Sequence, residues 1–119
     1  FMVQRQSLAA GNSIDLPNFG VQLKLETNGN LKLCDLPSCG TLHWQTGALV
    51  GTPPFVAKVQ GDGHFLIRDG DGGAAPWRTA KWRGNEPNFV LAYDSVNKRL
   101  VEYIGTAENR GEIIWVSSG

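Results

Sequence analysis

The sequence has no excess of charge of either sign and no long apolar run. Lysine plus arginine number 11 and aspartate plus glutamate number 11, so the formal net charge is zero. A general polyanion binder needs a basic excess, because much of its affinity comes from releasing counterions. No apolar segment approaches the ~20 residues that a membrane-spanning helix needs. We therefore expect neither a nucleic-acid partner nor a membrane span.

Cysteine and histidine are also scarce, with two of each. Cys34 and Cys39 enclose a segment that suits a hairpin loop, whose ends lie close enough for a disulfide. Free thiols are the alternative. A zinc site would need further soft ligands, and neither His43 nor His64 has a partner at ligand spacing. We expect a disulfide, no metal or cofactor, and a secreted or other extracytoplasmic or vacuolar location, where disulfides persist.

Constellations that are typical of enzymes are missing as well. No paired carboxylates and no Ser/His/Asp spacing stand out. The segment Asp69–Gly73 resembles a calcium loop, but it lacks an oxygen ligand and has Ala80 where a bidentate glutamate belongs. A tight glycine turn is the simpler interpretation of this segment. We predict a protein without enzymatic activity.

What the sequence does have is regular alternation of apolar and polar residues, in a chain that is 41% hydrophobic. Between Val21 and Glu26 every second residue is apolar, which predicts a half-buried strand. Asn28-Gly29 follows, and Asn-Gly is a strong hairpin signal because both residues tolerate positive φ. Alternation then resumes over 31–34. Apolar residues at helical spacing do not persist anywhere, so we predict an all-β domain.

The same hairpin pattern recurs over 55–69 and over 89–103. Each copy is followed by a glycine-containing loop and a tryptophan, at Trp44, Trp77 and Trp115. The tryptophans recur at intervals of roughly 35 residues, and a period of this length marks a repeat architecture.

The repeats lie within a single domain, and their approximate bounds are 20–47, 54–79 and 87–116 in a chain of 1–119. A lone hairpin is marginal in water, so the repeats must bury their apolar faces together. We predict three small antiparallel sheets related by pseudo-threefold symmetry around a core made of the three repeated tryptophans. Stacking of these tryptophans on a ligand is the alternative.

Several of these segments resemble the bulb-type (monocot) mannose-binding lectins, whose fold is the β-prism II. The similar parts are Leu25–Leu33, Val59–Ile67 and the tryptophan that ends each repeat, and Gln6–Ile14 is similar to the first strand of that family. The resemblance implies the β-prism II fold and the binding of mannose or related glycans. Relatives commonly dimerise by exchanging C-terminal strands, and Ile113–Val116 could serve this purpose. We therefore expect a homodimer, or a heteromer with a second lectin-like chain.

The sugar site of that family reads Gln-x-Asp-x-Asn-x-Val-x-Tyr, once per repeat, and alternate residues share one face of a strand. The matching positions of the second repeat are Gln60, Asp62, His64, Leu66 and Arg68. The first two are kept, so this is the best remaining site. Neutral histidine offers a donor and an acceptor, as asparagine does. Arg68 supplies several donors in place of a phenol, which could suit an acidic sugar or a phosphate.

The other two copies of the motif depart further from the pattern. The first repeat gives Glu26, Asn28, Asn30, Lys32 and Cys34, and the third gives Asp94, Asn97, Arg99, Val101 and Tyr103. Lys32 puts a charge where sugar carbons would rest, and Cys34 removes the hydroxyl. Arg99 replaces the asparagine. We predict that both of these degenerate sites are silent.

Two functions from different classes follow. The first is a carbohydrate-binding lectin that works through the second repeat. The alternative is a lectin-like domain that has lost sugar binding and acts in protein–protein interaction or as one chain of a heteromer. A third idea is nucleic-acid or membrane contact through the basic, tryptophan-containing segment Trp77–Arg83. The zero net charge favours a core Trp77 followed by an exposed basic loop, with Trp82 at a subunit contact.

Overall fold

The structure is a computed structural model, and it describes residues 6–70, 75–79, 88–106 and 108–117 together with the backbone of Met2–Val3. Strands account for all the regular structure in these ranges. They are β1 (Met2–Val3), β2 (Ser7–Ala9), β3 (Ser13–Leu16), β4 (Val21–Leu25), β5 (Leu31–Asp35), β6 (Leu42–Gln45), β7 (Val56–Val59), β8 (Phe65–Arg68), β9 (Trp77–Arg78), β10 (Phe89–Asp94), β11 (Arg99–Gly105) and β12 (Arg110–Val116). A helix able to cross a membrane is not found among the described residues.

The strands form three antiparallel sheets of four strands each, as the repeats predicted. The first-repeat sheet has the order β3-β4-β5-β6, the second-repeat sheet β2-β7-β8-β9, and the third-repeat sheet β1-β10-β11-β12. Each sheet contains the hairpin and the tryptophan strand of one repeat, with the hairpin strands in the middle. The all-β, β-prism II architecture that we expected is confirmed.

The fourth strand of every sheet comes from the N-terminal segment of the chain. The family resemblance suggested one strand over 6–14, but the structure divides this segment at a turn where Gly11 has a φ of 90°. β2 then pairs with β7, whereas β3 pairs with β4. The segment therefore links two sheets at a corner, which a glycine in the left-handed region allows.

The β4–β5 hairpin shows how alternation builds the core. Leu23, Leu25, Leu31 and Leu33 all point inward and are fully buried. In the predicted Asn-Gly turn only Gly29 uses positive φ, at 85°. A Cβ at this glycine would come within 3.2 Å of the Phe55 ring, so the turn also packs against the next repeat.

The three repeated tryptophans form an aromatic cluster where the edge strands β6, β9 and β12 converge. The ring centroids of Trp44 and Trp77 lie 5.7 Å apart, and Trp115 lies 5.8 Å from each of them. These nearly equal distances define a pseudo-threefold arrangement. All three side chains pack against the buried core while staying partly exposed. The prediction that these tryptophans are core residues is confirmed.

One residue breaks the apolar pattern of that core. On the strands next to the tryptophans, the residues in register with them are Leu33, Ile67 and Glu102. Glu102 is 0% exposed, and among the described residues neither of its carboxylate oxygens has a hydrogen-bond partner. Burial, with a smaller contribution from the charge of Asp62, raises the pKa of Glu102 from 4.5 to about 8.

The predicted disulfide is present in the loop between β5 and β6. Cys34 and Cys39 are joined with an S–S distance of 2.03 Å, so both cysteines of the chain are oxidised. Because Cys34 is fully buried and bonded, it cannot act as a sugar ligand in the first repeat.

Candidate functional site

The second-repeat hairpin has a turn that holds its polar side chains in place. The backbone N–H of Gln60 donates to the carbonyl of His64 at 2.8 Å, which closes the turn between β7 and β8. The Asp62 carboxylate accepts a hydrogen bond from the His64 backbone N–H at 3.2 Å, and its other oxygen lies 3.4 Å from His64 Nδ1. This side-chain to backbone bonding is typical of aspartate in turns. The turn therefore brings Gln60, Asp62 and His64 together.

An open surface groove runs along this turn and is lined by Lys58, Gln60, Gly61 and Asp62. Among the described residues, the Gln60 amide and the Lys58 ammonium make no hydrogen bond or ion pair. Both groups are only partly exposed. Their donors, and the amide oxygen, are therefore available to a ligand in the groove.

The other two predicted residues of this site lie further along β8. Leu66 points outward between the inward Phe65 and Ile67, yet it is only 4% exposed, so it offers little surface to a sugar. Arg68 is four positions beyond His64, about 13 Å at the rise of a strand. It is partly exposed and engaged in an interaction of its own. The groove itself therefore contains only the first part of the predicted motif.

The corresponding hairpin of the first repeat is closed by its own contacts. The Asn30 amide nitrogen donates to Glu26 at 3.3 Å and to Gln45 at 2.9 Å, while its oxygen accepts from the Gly47 backbone at 2.9 Å. Lys32 pairs with Glu26 at 3.1 Å. A sugar would have to break these bonds in order to form its own.

The remaining first-repeat position, Asn28, is also occupied. Its side-chain oxygen accepts a hydrogen bond from the Asn30 backbone at 3.0 Å and so stabilises the turn. Asn28 thus has a structural role that the motif comparison did not reveal.

The third-repeat hairpin is closed in a different way. Asp94 accepts hydrogen bonds from the Val96 backbone at 3.1 Å, from the Asn97 amide at 3.0 Å and from Arg99 Nε at 3.1 Å. These bonds, with that from the Asn97 side chain strongest, hold the pKa of Asp94 below its usual value. The Asp94 carboxylate is therefore occupied by hydrogen bonds within its own turn.

The third repeat keeps two residues of the family motif, Val101 and Tyr103. Both lie on the outward face of the third-repeat sheet. Both are nearly buried in an outward apolar cluster with Val90 and Ala92. The Arg110 guanidinium lies 5.2 Å from the centre of the Tyr103 ring, within the range of a cation–π contact. Packing stabilises this face, and a groove along it is lined mainly by apolar side chains, with Asp94, Ser95 and Arg110 as its polar residues.

Sequence reasoning missed two residues that lie beside these hairpin positions, Lys58 and Gln45, and it considered Arg78 only as part of the basic segment Trp77–Arg83. Alternation alone would place Lys58 on the same face as Gln60, so this residue could have been found. Gln45 lies on β6 and Arg78 on β9, the tryptophan strands of the first and second repeats. Only strand pairing brings these two residues next to the hairpins.

Two hypotheses from the sequence fall largely outside the described residues. They are the glycine-rich turn after Asp69 and the basic segment that includes Lys81, Trp82 and Arg83. Within the described ranges, no group of histidine, cysteine and acidic side chains could hold a metal ion.

Several solved structures that are similar to this chain are lectins. A lectin from Allium sativum is 24% identical with a TM-score of 0.72, and the match covers 88% of this chain and 93% of that one. A monomeric mannose-binding lectin from Gastrodia elata is 23% identical with a TM-score of 0.75, covering 98% and 94%. The mannose-specific snowdrop (Galanthus nivalis) agglutinin, complexed with methyl-α-D-mannoside, is 19% identical with a TM-score of 0.70, covering 88% of each chain.

Neither the protein-family models nor the curated proteins compared with this sequence gave a match. At the identities of the structural matches, what is shared is the fold. The chain has the β-prism II fold of the bulb-type mannose-binding lectins, and the resemblance in its repeats is confirmed in three dimensions.

Proposed function

We propose that this protein is a carbohydrate-binding lectin that binds mannose or a related glycan at the second-repeat hairpin, through Gln60, Asp62 and His64. One observation carries the proposal: among the described residues the Gln60 amide, a residue kept from the motif, is unpaired beside an open groove, whereas Asn30 and Lys32 of the first repeat and Asp94 and Arg99 of the third are bonded within their own repeats. The groove along the third-repeat hairpin is lined mainly by apolar side chains and by this bonded Asp94. The lectin structures with the same fold, one of them complexed with methyl-α-D-mannoside, support it. No chemical step is required, because the site holds and does not transform its ligand.

The arrangement suits the hydroxyl groups of a sugar. The Gln60 amide can donate one hydrogen bond and accept another, and the Asp62 carboxylate can accept from hydroxyl groups. Bonds to a charged acceptor are the stronger ones. His64 keeps the Asp62 carboxylate oriented, so little ordering is needed when the sugar binds.

Replacing Gln60 by alanine, or Asp62 by asparagine, should weaken mannoside binding at least about tenfold, the effect of losing one good hydrogen bond. The measurement is isothermal titration with methyl α-mannoside after a glycan-array screen. Asn97→Ala is the matched control, because it also removes an amide from an exposed hairpin turn.

Loss of binding in the Asn97 variant but not in the Gln60 and Asp62 variants would place the sugar in the third repeat and contradict the proposal. A blank array with correctly folded protein would favour the alternative, a lectin-like domain that acts by protein–protein interaction. A search for partner chains would then follow.

We also propose that the protein forms a dimer through β12. This strand is at the edge of the third-repeat sheet, and its Ile113 is 56% exposed. An exposed apolar edge strand pairs readily with another chain. Sedimentation at micromolar concentration should give a particle of twice 12.9 kDa, and Ile113→Lys should convert it to a monomer.

The control for the dimer is Val96→Lys, which places the same charge on an exposed turn residue away from β12. A wild-type protein that sediments only as a monomer would contradict this proposal.

A further inference from the structure

The outward faces of the three sheets carry very different charges. On the first-repeat hairpin, Lys32 is neutralised by Glu26 at 3.1 Å. On the third-repeat hairpin, Arg99 is neutralised by Asp94 at 3.1 Å, and the adjoining apolar cluster is covered by Arg110 over the Tyr103 ring. The first-repeat face also carries Lys24, which has no carboxylate at ion-pair distance among the described residues, and Asp15, so its two lysines are matched in number by Glu26 and Asp15.

The second-repeat sheet differs because two cations flank one residue of its central hairpin strand. Lys58 on β7 and Arg78 on β9 are in register with Leu66 on β8, on either side of it. In the part of the chain that the structure describes, neither of these two cations has a carboxylate at ion-pair distance. Neighbouring strands are about 4.8 Å apart, so the two backbones are separated by about 10 Å. We call Lys58 and Arg78 the cationic row.

The acidic groups near the cationic row are already engaged. Asp62 holds its carboxylate against His64 in the turn. Asp69, at the far end of β8, accepts a hydrogen bond from the Thr52 backbone at 3.5 Å. These hydrogen bonds leave the carboxylates charged, but the outward face carries three cations, Lys58, Arg68 and Arg78, against the two aspartates. Its local charge is therefore positive although the whole chain has zero net charge, and a positive face attracts an anionic ligand.

The row is continuous with the candidate sugar site. Lys58 lines the same groove as Gln60 and Asp62, whereas Arg78 lies across Leu66 from it. A ligand whose hydroxyl groups meet Gln60 and Asp62 would therefore extend over Leu66 toward the row. An arginine fork matches the geometry of a carboxylate or sulfate, and a lysine adds a point charge.

We propose that the cationic row makes the second-repeat site selective for glycans that carry a carboxylate or sulfate group over their neutral counterparts. The inference rests on the proposed function, since the sugar hydroxyls are held by the hairpin and the anion by the row. Asp62 repels anions at its own end of the groove, which directs the acidic group toward Lys58 and Arg78. The attraction is exposed to solvent, so it weakens as salt is added.

The test compares three probes by titration: methyl α-D-mannopyranoside, methyl α-D-mannopyranosiduronate and methyl α-D-mannopyranoside 6-sulfate. At low salt the two acidic probes should bind about tenfold more tightly than the neutral one, the effect of one charge-assisted hydrogen bond. Lys58→Gln and Arg78→Gln should each reduce this preference, and the double variant should bring the ratio close to one. Sodium sulfate alone should bind far more weakly than the sulfated sugar.

Lys24→Gln is the matched control, because it removes the same charge from the outward face of another sheet and should keep the preference. Thermal unfolding of every variant establishes that it is folded. A salt titration of the wild type tests independently whether the preference for acidic probes is electrostatic. Equal binding of neutral and acidic probes, still dependent on Asp62, would overturn the selectivity and leave the proposed function standing. Loss of preference in Lys24→Gln, or sulfate binding as tightly as the sulfated sugar, would also overturn it. Absence of binding by all three sugars would overturn both proposals.

Discussion

Replacing Glu102 by leucine should raise the free energy of unfolding by about 3 kcal/mol at pH 7. Glu102 is fully buried with both carboxylate oxygens unpaired, at a core position where the other two repeats have Leu33 and Ile67. A leucine there would restore the apolar pattern that the other repeats share. The gain should grow with pH, because burial raises the pKa of Glu102 to about 8.

The direction of the pH dependence follows from the two protonation states. The folded chain keeps the Glu102 proton up to a pKa of about 8, whereas the unfolded chain releases it near the ordinary pKa of 4.5. Between these two pH values the unfolded state binds fewer protons than the folded state. The free energy of unfolding of the wild type therefore falls by about 1.4 kcal/mol for each unit by which the pH rises. The destabilisation is absent below the lower pKa and complete above the upper one.

Chemical denaturation of wild type, Glu102→Leu and Glu102→Gln at several pH values measures this effect. In both variants the free energy of unfolding should no longer fall between these pH values on account of residue 102, because neither leucine nor glutamine titrates. Glu102→Gln should gain less than Glu102→Leu, since its amide is still buried without partners. Parallel stability curves for wild type and Glu102→Gln across this pH range would show that Glu102 does not hold a proton in the core.

Truncation of Trp115 to alanine should destabilise the fold by about 3 kcal/mol, the lower end of the range for deleting a buried aromatic side chain, because the ring is partly exposed. Its ring lies 5.8 Å from Trp44, 5.8 Å from Trp77 and 6.0 Å from Phe65. The deletion therefore leaves a cavity where all three sheets meet. Against a total stability of roughly 5–15 kcal/mol, the loss is a large fraction. The denaturant midpoint measures it.

Two comparisons give the Trp115 result its meaning. Trp115→Phe should lower the free energy of unfolding less than Trp115→Ala does, because it keeps an aromatic ring in the cluster. Val96→Ala, at a side chain that is 86% exposed, should change stability by less than about 0.5 kcal/mol. A Trp115→Ala variant as stable as Val96→Ala would contradict the role of the aromatic cluster in holding the sheets together.

Much of the architecture could be predicted because its signals are local. A strand with one buried face requires alternation, as between Val21 and Leu25, and a hairpin requires a turn such as that at Gly29. Three large aromatic residues at the same position of three repeats have few places to be buried other than together. The disulfide followed from two cysteines at the ends of one short loop.

The candidate site could be predicted only in part. Alternation places Gln60, Asp62 and His64 on one hairpin, but it does not tell an open hairpin from a closed one. The Asn30 amide is taken by Gln45 and Gly47, which are 15 and 17 positions away in the chain. No local pattern contains such a contact, because it depends on how the tryptophan strand pairs with the hairpin.

The sequence by itself determined the strands, the hairpin turns, the repeats and the disulfide loop, because each depends on residues that are close together in the chain. Only the tertiary structure decided that the N-terminal segment gives one strand to each sheet and that Asn30 and Asp94 are bonded within their own repeats while the Gln60 amide is not. It also decided that Glu102 has no hydrogen-bond partner among the described residues. These features depend on hydrogen bonds and burial between distant segments, and a polar side chain is satisfied or orphaned only by what the fold brings next to it.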